Sequence, residues 1–490
     1  MKKKINIRSI KVNVILNVLY TLMNTIFPLV TYPYVSRVLS AVGIGRVNFF
    51  SQIANYCTML AALGIGTYGI RAVARTRFDY EKLSKVVKEL LRINIFLTAI
   101  VMLFYLLIAI ISPQFRSNLP LVLINAIAIA TTPFSLDWMY SGLEQYSYIT
   151  KRDFIFKVIS IIAIFLFVKT KSNYGIYAFI LMVANLGTTV CNFLYAREII
   201  NFSFKGRLDY KRHIKPMLTL FASIFAINVY FSLDTIMLGF IRGDRQVGLY
   251  TTAVKVENVL LSVVNAISIA LLPRLSAYIQ EKKYTEFNAI LKKSISVIMA
   301  INLSLCIFFI ITAHECVLIL GGNSFSDATL SMQLLMPILV ISGFSNITGN
   351  QILIPKEEEK YYTFAVSIGA VMDIIINCFL MKPFGATGAS LATLLAECTQ
   401  MSIQLYFCRK EIKHNINFCS LLKIVVSVIV ATIALFTIRH YILDIPLLIN
   451  MVIQAVVFFG VVLLALLILK EENIVEIVTE LIHRNGLKIK

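Results

Sequence analysis

The sequence predicts an all-α, polytopic membrane fold of about fourteen transmembrane helices, and three observations predict it. First, the 490-residue chain is 58% hydrophobic and only 15% charged, with a mean hydropathy of +0.80. A soluble surface carries roughly 25% charge on average, so this chain has too little to cover one. Second, apolar runs of about 20 residues recur from Val12 to Leu469, each long enough to cross a hydrocarbon core of about 30 Å. Third, Lys and Arg collect in alternate connections between those runs.

Taken in order, the runs fall at about 12–36, 47–70, 90–112, 119–140, 153–170, 174–196, 216–240, 247–273, 294–313, 328–353, 362–381, 386–408, 421–439 and 446–469. The opening MKKKINIRSIK resembles the basic start of a signal peptide. The apolar run after it continues to about Val38 without a small-residue cleavage site, so it reads as a retained first helix. The second run ends in GIGTYGIR, where Gly64, Gly66 and Gly69 spell G-x-G-x-x-G. A dinucleotide fingerprint needs a strand before those glycines; here they close an apolar helix, so they read as packing or a kink. The count depends most on the short gap at 170–173 and on the proline-broken run near Pro446.

With the N-terminus inside, the inner connections hold 36 of the 46 Lys and Arg, the outer ones hold 9, and Lys255 is the remaining one. That bias places both termini in the cytoplasm and implies an even number of spans. A net charge of +20 would make nucleic acid the first partner to consider for a soluble protein. No basic stripe has its own folded domain here, and nucleic acid is set aside. No connection exceeds about 25 residues, which leaves no room for a soluble catalytic domain. The eight cysteines show no C-x-x-C spacing and read as free thiols. The five histidines show no ligand spacing, and there is no phosphate loop or D-x-D sugar-nucleotide motif. The expectation is a transporter without metal or cofactor.

The halves show a weak internal repeat. At an offset of 203, Gly45 falls on Gly248, Asn55 on Asn258 and Arg71 on Arg274, each at an equivalent topological place. This suggests two six-helix lobes, 1–205 and 206–410, with 411–490 as an added helix pair and cytoplasmic tail.

Charges inside the runs carry the functional reading, because a charge at the bilayer centre costs at least about 2.5–3.5 kcal/mol and is usually kept facing a cavity. Lys255 is the clearest case. On its helix Thr251, Lys255, Asn258, Ser262 and Asn265 share one face, and the duplicate helix carries Asn48, Gln52 and Asn55 at matching positions. These read either as opposite walls of a water-filled cavity or as amides that bond helix to helix, with Lys255 alternatively snorkelling. The first span adds Asn13, Asn17, Thr21, Asn24 and Thr31, ending near Arg37; its partner carries Asn228 and Asp234, with Arg242 just beyond. Lysine, arginines and amides facing a cavity suit a diphosphate. Asp234 and Glu257 are then counter-ions or ion-coupling groups, or simple charge pairs within the bundle; Asp137, near the inner end of the fourth span, is a further such candidate or merely faces cytoplasmic water. Beside Asp137, the lone Trp138 reads as an interfacial anchor.

Against this background FPLVTYPYVSRVLSAVGIGRVNFFSQIANYCTMLAALGIGTYGIRAVAR, PFSLDWMYSGLEQYSYI, SLDTIMLG, LLPRLS and FGATGASLATLLAE resemble the polysaccharide-biosynthesis flippases (Wzx-type) of the multidrug/oligosaccharidyl-lipid/polysaccharide exporter superfamily. The resemblance covers about 1–410. It implies two lobes around a cationic cavity, and alternating access that moves an undecaprenyl-diphosphate-linked oligosaccharide across a bacterial cytoplasmic membrane. It further implies membrane lipids and other polysaccharide-assembly proteins as partners. Arg37 and Lys255 map onto the family's basic cavity; Gln52 is neutral where its repeat mate is lysine. A cation-coupled multidrug antiporter on the same fold is the alternative.

Overall fold

The computed structural model describes residues 10–203, 206–441 and 445–484. It is 89% helical, with no strand among the described residues. By their internal packing the helices fall into two compact units, Met1–Gly248 and Leu249–Lys490.

The first unit holds α1 (Ile10–Ala62), α2 (Ile65–Thr76), α3 (Tyr80–Ile111), α4 (Pro113–Arg116), α5 (Leu119–Thr131), α6 (Asp137–Gly142), α7 (Tyr146–Phe167), α8 (Tyr174–Ile199), α9 (Lys211–Arg242) and the start of α10 (Asp244–Gln280). Where these helices break follows from backbone chemistry. Ser40, at φ 62° and ψ 175°, divides α1 into two helices. Leu63 (φ 42°) and Gly64 (φ 78°) then separate α1 from α2. The expected span 47–70 therefore ends at Ala62, and the glycine-rich segment starts a separate helix. The expected span 119–140 is also discontinuous. Pro133 starts no hydrogen bond of its own and Leu136 is left-handed at φ 52°, so α5 and α6 are distinct. Asp79 starts α3 by accepting from the Lys82 amide at 3.1 Å. That bond and the Lys82 ammonium hold the Asp79 carboxyl below its ordinary range.

The second unit continues α10 and adds α11 (Tyr284–Ile311), α12 (Ala313–Gly321), α13 (Ala328–Leu335), α14 (Ile338–Asn346) and a π-helical turn (Ile347–Leu353). It then runs through α15 (Glu359–Phe384), α16 (Ala386–Phe407), α17 (Arg409–Asn415), α18 (Phe418–Tyr441), α19 (Leu447–Ile468) and α20 (Glu472–Arg484). The C-terminal pair α18 and α19 docks on α11. Ser296 and Ser420 hydroxyls meet at 3.0 Å, and Ser420 donates to Glu471 at 2.6 Å. Toward the other end Arg439 donates to the Ile311 carbonyl at 3.0 Å and pairs with Glu315, while Phe308 packs on Phe458. Lipid offers no hydrophobic drive for helix association, so such bonds and close packing hold the bundle.

Nine stretches among the described residues are both long and apolar enough to cross a membrane. Helices α7, α9, α10 and α16, of 22 to 37 residues, are as long but more polar. The expected fourteen exceeds the nine candidate spans found among the described residues. Large apolar side chains cover the outside: Phe96, Ile111, Phe379 and Ile468 are 66%, 72%, 73% and 78% exposed. Water would penalise such a surface, and hydrocarbon accepts it. The chain is a multi-pass membrane protein.

Candidate functional site

In the first unit the second half of α1 presents its polar face at the surface. Asn48 and Gln52 are half-buried and Asn55 is exposed; the Asn55 amide donates to Gln52 at 3.4 Å. One turn on, the Tyr56 hydroxyl donates to the Asn228 carbonyl of α9 at 2.9 Å. Arg37 is exposed near the end of the first helix and Arg242 at the end of α9, whereas Asp234 is buried in the same helix. Thr31 turns its hydroxyl back to the Phe27 carbonyl at 3.2 Å. The side chains of Asn13, Asn17, Thr21 and Asn24 lie outside the described residues.

In the second unit Lys255 is half-buried on α10 and Asn258, three residues on, is exposed, as is Ser262. Ammonium, amide and hydroxyl thus follow one another along a single helix face. Glu257 is buried on another side of the helix, as are Asp373 and Glu397 on α15 and α16. Asn265 accepts from the Asn346 amide of α14 at 2.9 Å, so at the end of this face the amide does join helix to helix.

Asp137 has a neighbourhood that the sequence did not disclose. Arg152, counted above as part of an inner connection, lies in α7 with its side chain 5% exposed. Its guanidinium donates to Asp137 at 3.0 Å, to Asp153 at 2.8 Å and to Asn192. Asn192 also donates to Asp137 at 3.0 Å and to the Ser135 carbonyl. Three helices, α6, α7 and α8, therefore meet on one buried arginine, and Asp137 keeps half of its carboxylate exposed. Trp138 is buried, with its ring against Gly69, which corrects its reading as an interfacial anchor. Space for the indole exists because Gly69 has no side chain.

A second buried polar network fastens the start of α9. Glu89 of α3, fully buried, accepts from the Asp209 amide at 2.7 Å, pairs with Arg212, and lies 2.8 Å from the His213 ring. The other His213 nitrogen meets the Tyr68 hydroxyl of α2 at 2.8 Å. In the sequence Glu89 follows Lys88 and precedes Arg92 in a basic stretch at the start of an apolar run, so it looked like one more charge of a connection. No group of three or more metal-ligating residues occurs among the described residues.

The chain is 23% identical over 408 residues to the "Putative O-antigen transporter" of Escherichia coli (strain K12), covering 82% of this chain and 97% of that protein. A Shigella dysenteriae protein of the same description is 22% identical, over 79% of this chain and 97% of that protein. Among solved structures, one titled "Lipid II flippase MurJ, inward closed conformation" superposes with a TM-score of 0.75 at 12% identity, covering 94% of this chain and 99% of that one. An inward-facing multidrug resistance MATE family transporter of the MOP superfamily superposes with a TM-score of 0.62 at 14% identity, over 82% of this chain and 98% of that one. At such identity these structures show the fold alone: the helices of this chain are arranged as in those two proteins. Residues 10–279 match the family described as "Polysaccharide biosynthesis protein", and the chain belongs to that family.

Proposed function

We propose that this protein is a flippase that moves a polyprenyl-diphosphate-linked oligosaccharide from the inner to the outer leaflet of a bacterial cytoplasmic membrane, by alternating access. It is a transporter rather than an enzyme. The observation that carries the reading is the similarity to an O-antigen transporter along 97% of that protein's length. The half-buried Lys255 on the polar face of α10 supports it: an ammonium in a membrane helix suits the diphosphate, and the exposed Asn258 offers an amide to the glycan. In this reading Asn48, Gln52 and Asn55 line the corresponding face of the first repeat, with Arg37 from its first helix, and Arg242 at the end of α9 joins them from the second repeat. Asp137, Asp234 and Glu257 then act as counter-ions or as the groups that couple an ion to transport. The polyprenyl tail stays in lipid, which spares the protein from enclosing it. Both termini face the cytoplasm, and membrane lipids and other assembly proteins are the partners.

The test is depletion of the protein in its native cell. Surface polysaccharide should disappear while the lipid-linked oligosaccharide accumulates on the inner leaflet. Unchanged surface polysaccharide, with altered resistance to cationic drugs, would favour the antiporter instead.

A further inference from the structure

Helices α7 and α8 leave a groove between them on the surface of the first unit, about 380 Å³ in volume. On α7 it follows one helix face, from Phe156 through Ser160 and Ala163 to Phe167, and on α8 it is walled by Phe179 and Ile180 among others. Ser160 and Ala163 are small, so space opens beside them. Ser160 and Ile180, each 9% exposed, lie at the bottom, while Phe167 and Phe179, 61% and 51% exposed, stand at the edges. Ser160 is the one polar side chain of the lining, and its hydroxyl donates back to the Lys157 carbonyl at 2.8 Å. Such a groove offers water no partner and accepts hydrocarbon.

The two ends differ. Toward the start of α7 the Phe156 ring closes the groove by lying against Gly187, where an added Cβ would come 2.1 Å from the ring. Toward the end of α7 the groove runs out to Phe167 and Ile176, which flank the connection 168–173. That connection is firmly built. Tyr34 of α1 donates to the Val168 carbonyl at 2.8 Å, and the Asn173 side chain accepts from the Lys169 and Thr170 amides at 3.1 and 2.9 Å. Lys169 and Lys171 are exposed on it, and neither makes an ion pair among the described residues.

The length of the groove has a counterpart in the bilayer. From Phe156 to Phe167 α7 rises about 16 Å at 1.5 Å per residue. Half of a hydrocarbon core of about 30 Å is about 15 Å. The groove is one leaflet deep, with two cations at its open end.

We propose that this groove binds one anionic phospholipid, an acyl chain lying along α7 and α8 and the phosphate beside Lys169 and Lys171. The depth selects the chain: a polyprenyl tail is several times too long for it. The charges select the head, because two ammonium groups at the interface favour an anionic head group over a zwitterionic one. By the charge count this connection is an outer one, where Lys and Arg are scarce. The lipid is a resident of the scaffold rather than cargo, so the site stands whether or not the transport reading does.

The test uses the purified full-length protein, stripped of lipid in detergent and titrated under native mass spectrometry with phosphatidylglycerol or with phosphatidylcholine of the same acyl chains. The parent should bind a first phosphatidylglycerol about tenfold more tightly than phosphatidylcholine. Lys169→Gln combined with Lys171→Gln, both on the exposed connection, should abolish that preference. Ala163→Phe, which fills the groove, should lose the tight site for either lipid. Equal affinity of the parent for the two lipids, or a preference that the double Gln variant leaves unchanged, would overturn the proposal. Tight phosphatidylglycerol binding by folded Ala163→Phe would do the same. So would displacement of the bound phosphatidylglycerol by polyprenyl diphosphate, which would give the groove to the tail of a transported lipid.

Discussion

Ser40 and Gly243 adopt the same backbone conformation, with φ of 62° and 78° and ψ within a few degrees of 180°. The region is one that essentially only glycine occupies without cost, which for other residues is about 1–3 kcal/mol. Ser40→Gly should therefore stabilise the protein by about 1 kcal/mol and raise its melting temperature in detergent. Gly243→Val should lower it. A Ser40→Gly variant no more stable than the parent would show that the surrounding helices have already relaxed the strain.

The Glu89 network yields a coupling that can be measured. Removing one partner of a buried charge pair costs about 3–5 kcal/mol, because the other charge is left uncompensated. Glu89→Gln and His213→Gln should each destabilise the fold, and together should cost less than their sum by about 0.5–3 kcal/mol, as contacting residues do. Additive effects in thermal unfolding would place Glu89 and His213 in independent roles.

Arg152 and Asp137 should differ sharply although they share a hydrogen bond. Arg152→Met leaves Asp153 and Asn192 without their donor inside the bundle, and a loss of about 3 kcal/mol with reduced membrane abundance is expected. Asp137, half in solvent, should tolerate Asn with a loss of about 1 kcal/mol or less. If Asp137→Asn keeps stability but abolishes transport, its carboxylate belongs to ion coupling rather than to the scaffold.

Why some of this was legible in the sequence and some was not follows from which interactions are periodic. Hydropathy reports burial in lipid, so the helical membrane fold could be read directly. Charge placement made Lys255 stand out, because it is the single Lys or Arg left after every connection is counted. Arg152 was hidden by the same count: one residue from Lys151 and beside Asp153, it looked like a connection, and only the packing of α6 and α8 reveals that it is buried. The breaks at Leu63 and Leu136 were equally invisible, since left-handed backbone at a leucine has no sequence signal. Trp138 misled for a related reason. Tryptophan is common at membrane interfaces, and the space made for it by Gly69 is a tertiary fact.

The central claim is that this chain moves a lipid-linked glycan, with Lys255 as the cation that meets its diphosphate. The most direct measurement is transbilayer movement of a fluorescent polyprenyl-diphosphate oligosaccharide in proteoliposomes of the purified protein, its Lys255→Ala variant and its Lys255→Arg variant. The account predicts movement above protein-free vesicles for the parent. It predicts a loss of about 10-fold or more for Lys255→Ala, the scale of a charge-assisted hydrogen bond worth about 1.5–3 kcal/mol, and substantial retention for Lys255→Arg. No movement by the parent protein would contradict the assigned substrate, and parental rates for Lys255→Ala would contradict the role given to the lysine.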